Sequence, residues 1–366
     1  MRKALPVAVI ALCCAALLVA PGPRRLADDR QRTVPAEVVE TDDSAVQLHG
    51  LVEFGTQKLK VRLHDGRVFA AANELRAQME LDKKFSVGDT ALVILPHGAK
   101  DDDILVARDH WRMGWGFAFF AGFCVLLCVF GGWTGAKALF SFMFSCLAVW
   151  KLLIPLVLAG WHASTVCFAT VAVLTGVIMY LVAGWNRKGA GAFAGSMLGV
   201  VSSLGLAHFF GRVMYVNGAT MPFAQQLIYS GFSRINLQDV FMGAIVLASS
   251  GAVMDLGMDI AAGVEEVRRR SPGLGFRELA ISGFRIGRSV VGTMTTTLLL
   301  AYSGGYLTLL MVFAAQGTAP LDFLNSTLVS AELVKTLVGS FGLVLVAPFT
   351  AVVSAALFSR GGKEGC

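Results

Sequence analysis

The sequence predicts an all-α polytopic membrane bundle of about eight transmembrane helices, joined to a small N-terminal all-β domain of the OB-like barrel type. Three observations support this fold class. The chain of 366 residues is 55% hydrophobic and only 15% charged, whereas soluble domains contain about 25% charged residues. Several apolar runs reach the roughly 20 residues that a bilayer-crossing helix needs. One segment instead alternates polar and apolar residues, as short strands do.

Residues 1–27 are predicted to form an N-terminal membrane anchor. The apolar run ALPVAVIALCCAALLVA follows Arg2 and Lys3, which is also the pattern of a signal peptide. The exit from the run, VAPGPRR, places prolines where a peptidase would cut. We therefore favour an uncleaved anchor and keep the signal peptide as the alternative.

Residues 28–110 are predicted to form the small β domain outside the cytoplasm. The stretches AVQLHGLVEF, KLKVRLHDGRVFAA and SVGDTALVILP alternate as strands do, and NELRAQMELDKKF between them is predicted to be helical. An OB-like barrel is favoured, while a β-sandwich stays open because the strands alone do not separate the two. We expect residues 34–96 to fold as an independent unit.

Residues 111–366 are predicted to form the membrane domain, with a basic cytoplasmic connector at 263–285 that breaks at Pro272-Gly273 into two short helices. The apolar runs place its seven helices near residues 114–132, 138–159, 163–184, 190–214, 239–261, 286–314 and 328–357.

The distribution of charge predicts the orientation of the chain. Residues 28–110 contain 16 Asp and Glu against 11 Lys and Arg, a net charge of −5. The whole chain has a net charge of +6, so the residues outside this segment have a net charge of +11. Lys and Arg are concentrated in alternate loops, as cytoplasmic loops are. We expect a multi-pass protein of the bacterial cytoplasmic membrane, with both termini inside, residues 28–110 outside and the lipid bilayer as its surroundings. The basic charge does not indicate nucleic-acid binding.

Two acids one turn apart, Asp255 and Asp259, lie in the predicted span 239–261. On a helical wheel they share a stripe with small residues, namely Ala244, Ala248, Gly251 and Ala262. Small residues permit close approach between membrane helices, and a carboxylate in hydrocarbon costs several kcal/mol. We therefore expect this stripe to face protein.

The next two spans carry matching charges, and the exit from the membrane carries two further acids. Arg285 and Arg288 are predicted at the depth of the two aspartates, and Glu332 and Lys335 towards the outer surface. These six residues form either a proton or ion relay or buried ion pairs that fix helix register. Glu265 and Glu266 are predicted at the cytoplasmic exit.

No constellation in the sequence indicates catalysis. The seven cysteines and six histidines form no metal-ligand spacing, and no GxxxxGK[ST] motif for nucleotide hydrolysis is present. No hydroxyl nucleophile has a histidine at a suitable spacing. We expect no enzyme activity, no cofactor and no metal.

The blocks GAVMDLGMDIAAGVEEV, SGFRIGRSVVGTMTTTLLLAYSGG and VKTLVGSFGLVLVAPFTA, together with AANELRAQMELDKKFSVGD in the β segment, resemble the YibE/F-like family of bacterial integral membrane proteins. The resemblance implies multi-span proteins with an N-terminal extracytoplasmic domain, but it implies no substrate. The positions that match the family pattern are Asp255, Gly287, Arg288, Gly292 and Pro348. The chain departs from the pattern at Asp259, Ser289 and Thr296, where the family has a small residue, Asp and Asn.

These observations favour an ion- or proton-coupled secondary transporter or export permease for an unknown small solute or ion, with no ATP site of its own. The alternative is a non-transporting scaffold whose β domain, residues 28–110, binds an envelope protein. The sequence leaves the substrate and the oligomeric state open.

The orientation gives a first testable prediction. In a background without native cysteines, Ser44→Cys is expected to react with a membrane-impermeant maleimide added to intact cells, because Ser44 lies in the segment predicted outside. Ser271→Cys, in the basic connector, is the matched control and is expected to react only after the cells are opened. Labelling of Ser271→Cys but not Ser44→Cys in intact cells would reverse the orientation.

Overall fold

The computed structural model describes residues 14–18, 31–100, 102–184 and 186–359. The chain divides into two compact units, one formed by Arg24–Val129 and the other by the rest of the chain. The predicted anchor at 1–27 lies outside the described residues except for 14–18, which are helical.

The first unit contains a closed five-stranded barrel. Strand β1 pairs with both β5 and β3, and the ring is completed in the order β1-β5-β6-β4-β3, with β2 added as a hairpin on β3. Only β4 and β6 run parallel among these pairs. The closed ring confirms a barrel of the predicted kind and excludes the sandwich. The strands are β1 (Gln31–Asp42), β2 (Val46–His49), β3 (Val52–Leu63), β4 (Val68–Arg76), β5 (Thr90–Pro96) and β6 (Ile104–His110).

Two strands, β1 and β6, have no counterpart among the sequence-predicted strands. Strand β6 is the shorter of the two. It lies between β5 and β4 in the barrel, and Leu105 and Ala107 bury their side chains in the barrel core. A unit of residues 34–96 therefore lacks the strand that closes the ring, and the expected boundary was too short.

The predicted helix NELRAQMELDKKF is wrong. Its first four residues belong to β4, and the rest form turns and irregular backbone. Buried Gln57 accepts a hydrogen bond from the Phe85 amide (3.0 Å) and donates to the Phe85 carbonyl (2.9 Å), while Asn73 donates to the Lys83 carbonyl (2.6 Å). These bonds hold the segment against the barrel, and tertiary contact therefore overrides its helical composition.

Two ion pairs of Lys84 also connect the same segment to the barrel surface. Lys84 Nζ lies 3.0 Å from a carboxylate oxygen of Asp43 and 3.1 Å from one of Glu53. Hydrogen bonds from Lys84 and then Gln57 lower the pKa of Asp43 below its usual value. The ionised carboxylate is therefore the form that the folded barrel stabilises.

The second unit is helical, and its long helices are apolar. The helices are α1 (Met113–Ala148), a π-helical stretch at Val149–Leu153, α2 (Ile154–Leu158), α3 (Ala163–Ala183), α4 (Arg187–Val213), α5 (Ala224–Tyr229), α6 (Leu237–Arg270), α7 (Phe276–Gly305), α8 (Leu307–Ala315), α9 (Pro320–Asn325) and α10 (Thr327–Ser359). The first part of α1 belongs to the barrel unit.

Five stretches of the described chain are long and apolar enough to cross a membrane, and counting the bent pair α7–α8 as one span gives six. The predicted span at 286–314 is bent by 65° between α7 and α8. The continuous stretch 113–158 replaces two predicted spans, although Gly132 has a non-helical backbone within it. The structure thus confirms a helical membrane domain but not the count of eight helices.

The predicted connector also differs from the structure. Helix α6 continues to Arg270 and α7 begins at Phe276, so only residues 271–275 separate them. The break at Pro272-Gly273 is therefore a short turn, and the two predicted short helices are extensions of the long ones.

The core of the bundle is formed where α4, α6, α7 and α10 pack together through small residues. On α4, Gly191, Gly195 and Gly199 recur every fourth residue, so they share one face. A Cβ on Gly191 would lie only 2.6 Å from Ser354 Oγ of α10, and one on Gly199 only 3.0 Å from Val346. Glycine at these positions lets the two helices approach closely.

This packing predicts the effect of adding a single methyl group to α4. Gly195→Ala is expected to destabilise the bundle by about 1–3 kcal/mol, because overpacking a close contact forces side chains and backbone apart and the new Cβ would lie 2.7 Å from the Thr350 Cα. Gly205→Ala on the same helix is the control, since its Cβ would meet nothing within 4 Å. Thermal unfolding of the purified protein measures both. Equal midpoints for the two variants would contradict the packing account.

Candidate functional site

One side of helix α6 is buried in the bundle and the opposite side is exposed. Its two aspartates lie on the exposed side. The other side of α6 is buried in the bundle core through Val253, Leu256, Ile260 and Val264. Ala244, Ala248, Gly251, Asp255 and Asp259 are all exposed; we call them the acidic face of α6. The expectation that this stripe faces protein is therefore not met within a single chain.

The acidic face is far from either end of its helix. Asp255 lies about ten residues, or about 15 Å, before the predicted exit at Glu265, and about 18 residues, or about 27 Å, after the start of α6 at Leu237. An aspartate side chain is too short to reach either point. Direct contact of this carboxylate with lipid is strongly disfavoured, so the face requires water or protein against it.

The packing of α6 against α7 fixes the relative depth of the acids and the arginines. Positions Ile260 and Gly287 lie side by side, and so do Gly263 and Ile286, because a Cβ on either glycine would be within 3.3 Å of the isoleucine. The helices run antiparallel, so Asp259 lies at the depth of Arg288. The contacts thus put these acids and arginines at one level along the two helices.

No ion pair or hydrogen bond joins Asp255 or Asp259 to any residue that the structure describes, and Arg285 and Arg288 are likewise unpaired within those residues. The reason is the orientation of α7 about its own helix axis. Ile286 points at α6, and Arg288 is two residues further, about 200° around the helix. Both arginines are exposed. The structure brings the four charges to one depth but does not bring them into contact.

A second polar cluster lies between α7, α8 and α10. Lys335 donates to both carboxylate oxygens of Glu332, at 2.8 and 2.9 Å, in a half-buried pair within α10. The hydroxyls of Tyr306 and Thr336 lie 3.3 Å apart. The structure therefore brings together the predicted residues Glu332 and Lys335, as a pair within one helix.

The sequence reasoning missed Tyr302, whose ring packs against Gly339 of α10. Its hydroxyl is buried, as is that of Thr295, and neither has a hydrogen-bond partner among the described residues. Arg288, Thr295 and Tyr302 recur every seven residues, a spacing that places them on one side of α7. That periodicity was the signal available in the sequence.

The two clusters are separated along the bundle. Ser249 of α6 lies beside Gly339 of α10, and Gly257 beside Thr350, so these helices run parallel. By this register Glu332 lies at the depth of Met242, about 13 residues or 20 Å from Asp255. Tyr302 and Thr295 fall at intermediate depths. The six predicted residues therefore occupy two levels, with unpaired hydroxyls between them.

The predicted exit acids are engaged in ion pairs. Glu265 lies 3.1 Å from Lys188 of α4. Glu266 lies 2.6 Å from both Arg269 and Arg270. The Glu265–Lys188 pair links α6 to α4, whereas the pairs of Glu266 lie within the last turns of α6. In the part of the chain that the structure describes, no three His, Cys, Asp or Glu side chains are grouped so that they could hold a metal ion.

Comparison with known proteins bears on the helical part of the chain. The YibE/F-like protein model matches residues 119–360, a segment that contains all eight predicted site residues and excludes the barrel. No curated protein and no solved structure matches the chain. The family match covers well over half of the sequence, so the chain belongs to the YibE/F-like family of proteins, as the resemblance predicted.

Proposed function

We propose that the protein is a secondary transporter or export permease that couples the movement of a small solute or ion to protons or another cation, without an ATP site of its own. The observation that carries this proposal is the pair of carboxylates, Asp255 and Asp259, one turn apart and without a cationic partner in the described chain. An intramembrane acid of this kind is the usual element of a proton or ion pathway.

The groups between the two polar levels support a pathway along the bundle. Thr295 and Tyr302 offer buried hydroxyls at depths between Asp255 and the Glu332–Lys335 pair. Steps between successive groups are on the order of 5–10 Å along the helices, longer than a hydrogen bond. Water molecules therefore have to complete the path, with the hydroxyls both donating and accepting hydrogen bonds.

Protonation can be coupled to helix packing because an ionised carboxylate on the acidic face is energetically costly beside apolar groups. An ionised carboxylate favours water or a cation beside α6, whereas a protonated one tolerates closer packing against apolar neighbours. A ligand or proton shifts a conformational equilibrium only through such a difference between two states. We propose that protonation of Asp255 changes the packing of α6.

The proposed setting is the bacterial cytoplasmic membrane, with both termini inside and residues 28–110 outside. We further propose that stretch 113–158 contributes two spans. Gly132, with φ 53° and ψ −129°, divides it into pieces of about 19 and 26 residues, each close to the length that crosses a bilayer. With the anchor, this division gives eight helices.

Proton flux tests the role of the acids. In proteoliposomes containing a pH-sensitive dye, with an imposed membrane potential, the native protein is expected to conduct protons. Asp255→Asn is expected to abolish the flux while the protein still inserts and purifies, because the amide does not exchange a proton. Asp322→Asn, at an exposed position on α9, is the control and is expected to conduct normally. Unchanged flux in Asp255→Asn would exclude it from the path.

The hydroxyl of Tyr302 gives a separate prediction. Tyr302→Phe removes one buried oxygen that has no partner in the described structure, so the fold is expected to be unaffected or slightly stabilised. Proton flux in the same assay is expected to fall about tenfold or more, the scale of losing one positioned proton-transfer group. Tyr229→Phe, at an 86% exposed position, is the control. Equal flux in both variants would remove Tyr302 from the path.

A groove on the barrel favours the second candidate function, a membrane scaffold whose residues 28–110 bind an envelope protein. The groove has a volume of about 430 Å³, and its lining combines apolar side chains, including Leu48, Leu51 and Met79, with the charged side chains of Glu53, Asp82, Lys83 and Lys84. Leu48, Leu51 and Met79 are 70%, 89% and 75% exposed. A native protein that conducts no ion, together with loss of partner binding in Leu51→Glu, would support the scaffold over the transporter.

A further inference from the structure

We propose that copies of the chain assemble side by side in the membrane, with the acidic face of α6 in each copy covered by the arginine face of α7 in the next. We define the arginine face by Arg285, Arg288 and Gly292, all exposed on α7. The copies would be related by a rotation axis along the membrane normal, and because the two faces lie on different sides of the chain, the contact is head-to-tail and closes into a ring. The proposal rests on the arrangement of the faces and holds whether or not the protein transports protons.

The first argument is charge complementarity. One open face of the helical unit carries Asp255 and Asp259, and another carries Arg285 and Arg288. Neither set has an ion-pair partner among the described residues of its own chain. Opposite charges in a low-dielectric region attract strongly, and each set is costly when it is left without compensation.

The second argument is depth. Any rotation axis along the membrane normal leaves the depth of every residue unchanged. Only residues at equal depth can therefore meet across such an axis. The contacts of Ile260 with Gly287 and of Gly263 with Ile286 place Asp259 level with Arg288 within one chain. Asp259 consequently lies level with Arg288 of the partner subunit as well.

The third argument comes from the glycines. The inward glycines of these two helices have close neighbours: a Cβ on Gly257 would meet Ser196 and one on Gly283 would meet Ala351. Gly251 and Gly292, on the two open faces, would meet nothing within 4 Å. Small residues that the chain's own packing does not require suit close contact with another membrane helix.

The pairing would also complete the site. Each interface would join the acidic face of one copy to the arginine face of the next, as in a head-to-tail assembly. Both aspartates of each copy would then be near cations that their own chain holds on a different face. The arginine face would supply the protein surface that the depth of Asp255 demands.

Disulfide cross-linking in native membranes tests the proposal. Two differently tagged chains without native cysteines are co-expressed, one with Asp259→Cys and the other with Arg288→Cys. Mild oxidation is expected to give a cross-linked species carrying both tags. The control pairs Arg288→Cys with Val182→Cys, at a 49% exposed position on α3 near the same level of the bundle, and is expected to give none. Absence of the first product, or equal yields from both pairs, would overturn the proposal.

Charge exchange provides a second measurement that does not depend on cysteine. In nanodiscs, Asp259→Arg is expected to weaken self-association by on the order of 100-fold, because it places like charges together where a buried pair stood. The double variant Asp259→Arg, Arg288→Asp restores opposite charges at every interface and is expected to recover the oligomer by mass photometry. A native protein that is monomeric, or a double variant no better than the single one, would contradict the pairing.

Discussion

A carboxylate within the hydrocarbon of a bilayer needs water or protein against it, and the packing of this helical domain leaves that need unmet within one chain. Helices α4, α6, α7 and α10 pack through small residues such as Gly195 and Gly287, and this packing uses the apolar sides of α6. The side that remains open carries Asp255 and Asp259. The same contacts that stabilise the bundle therefore leave a charged face for which the single chain provides no cover.

Rotation of α7 links this constraint to function. Because Ile286 occupies the side that packs on α6, Arg288 is directed away from the acids of its own chain. In the proposed function the aspartates gain and lose a proton, and in the proposed assembly the arginines are cations available to another copy. The two proposals use the same residues in opposite ways, since a cation brought beside an acid stabilises its ionised form and opposes protonation.

The sequence predicted much of the fold, because alternation and apolar length report directly on strands and membrane helices. It failed where tertiary contact decides the local structure. NELRAQMELDKKF has helical composition, yet the hydrogen bonds of Gln57 and Asn73 hold it as a loop. Strand β6 is short and completes the barrel only through its partners β4 and β5. For the site, composition revealed the acids and their depth. It did not reveal the rotation of α7, which depends on the fit between Ile286 and Gly263.

The claim on which the account depends is that the acidic face of α6 does not contact lipid. Electron paramagnetic resonance of a spin label at Gly251→Cys, in a reconstituted background without native cysteines, measures this directly through its collision rates with oxygen, which is concentrated in lipid, and with a water-soluble nickel chelate. The account predicts a low oxygen collision rate at this position and a high one for the same label at Val173→Cys, an exposed position on α3. Equally high oxygen collision rates at both positions would show that the acidic face lies in lipid and would contradict it.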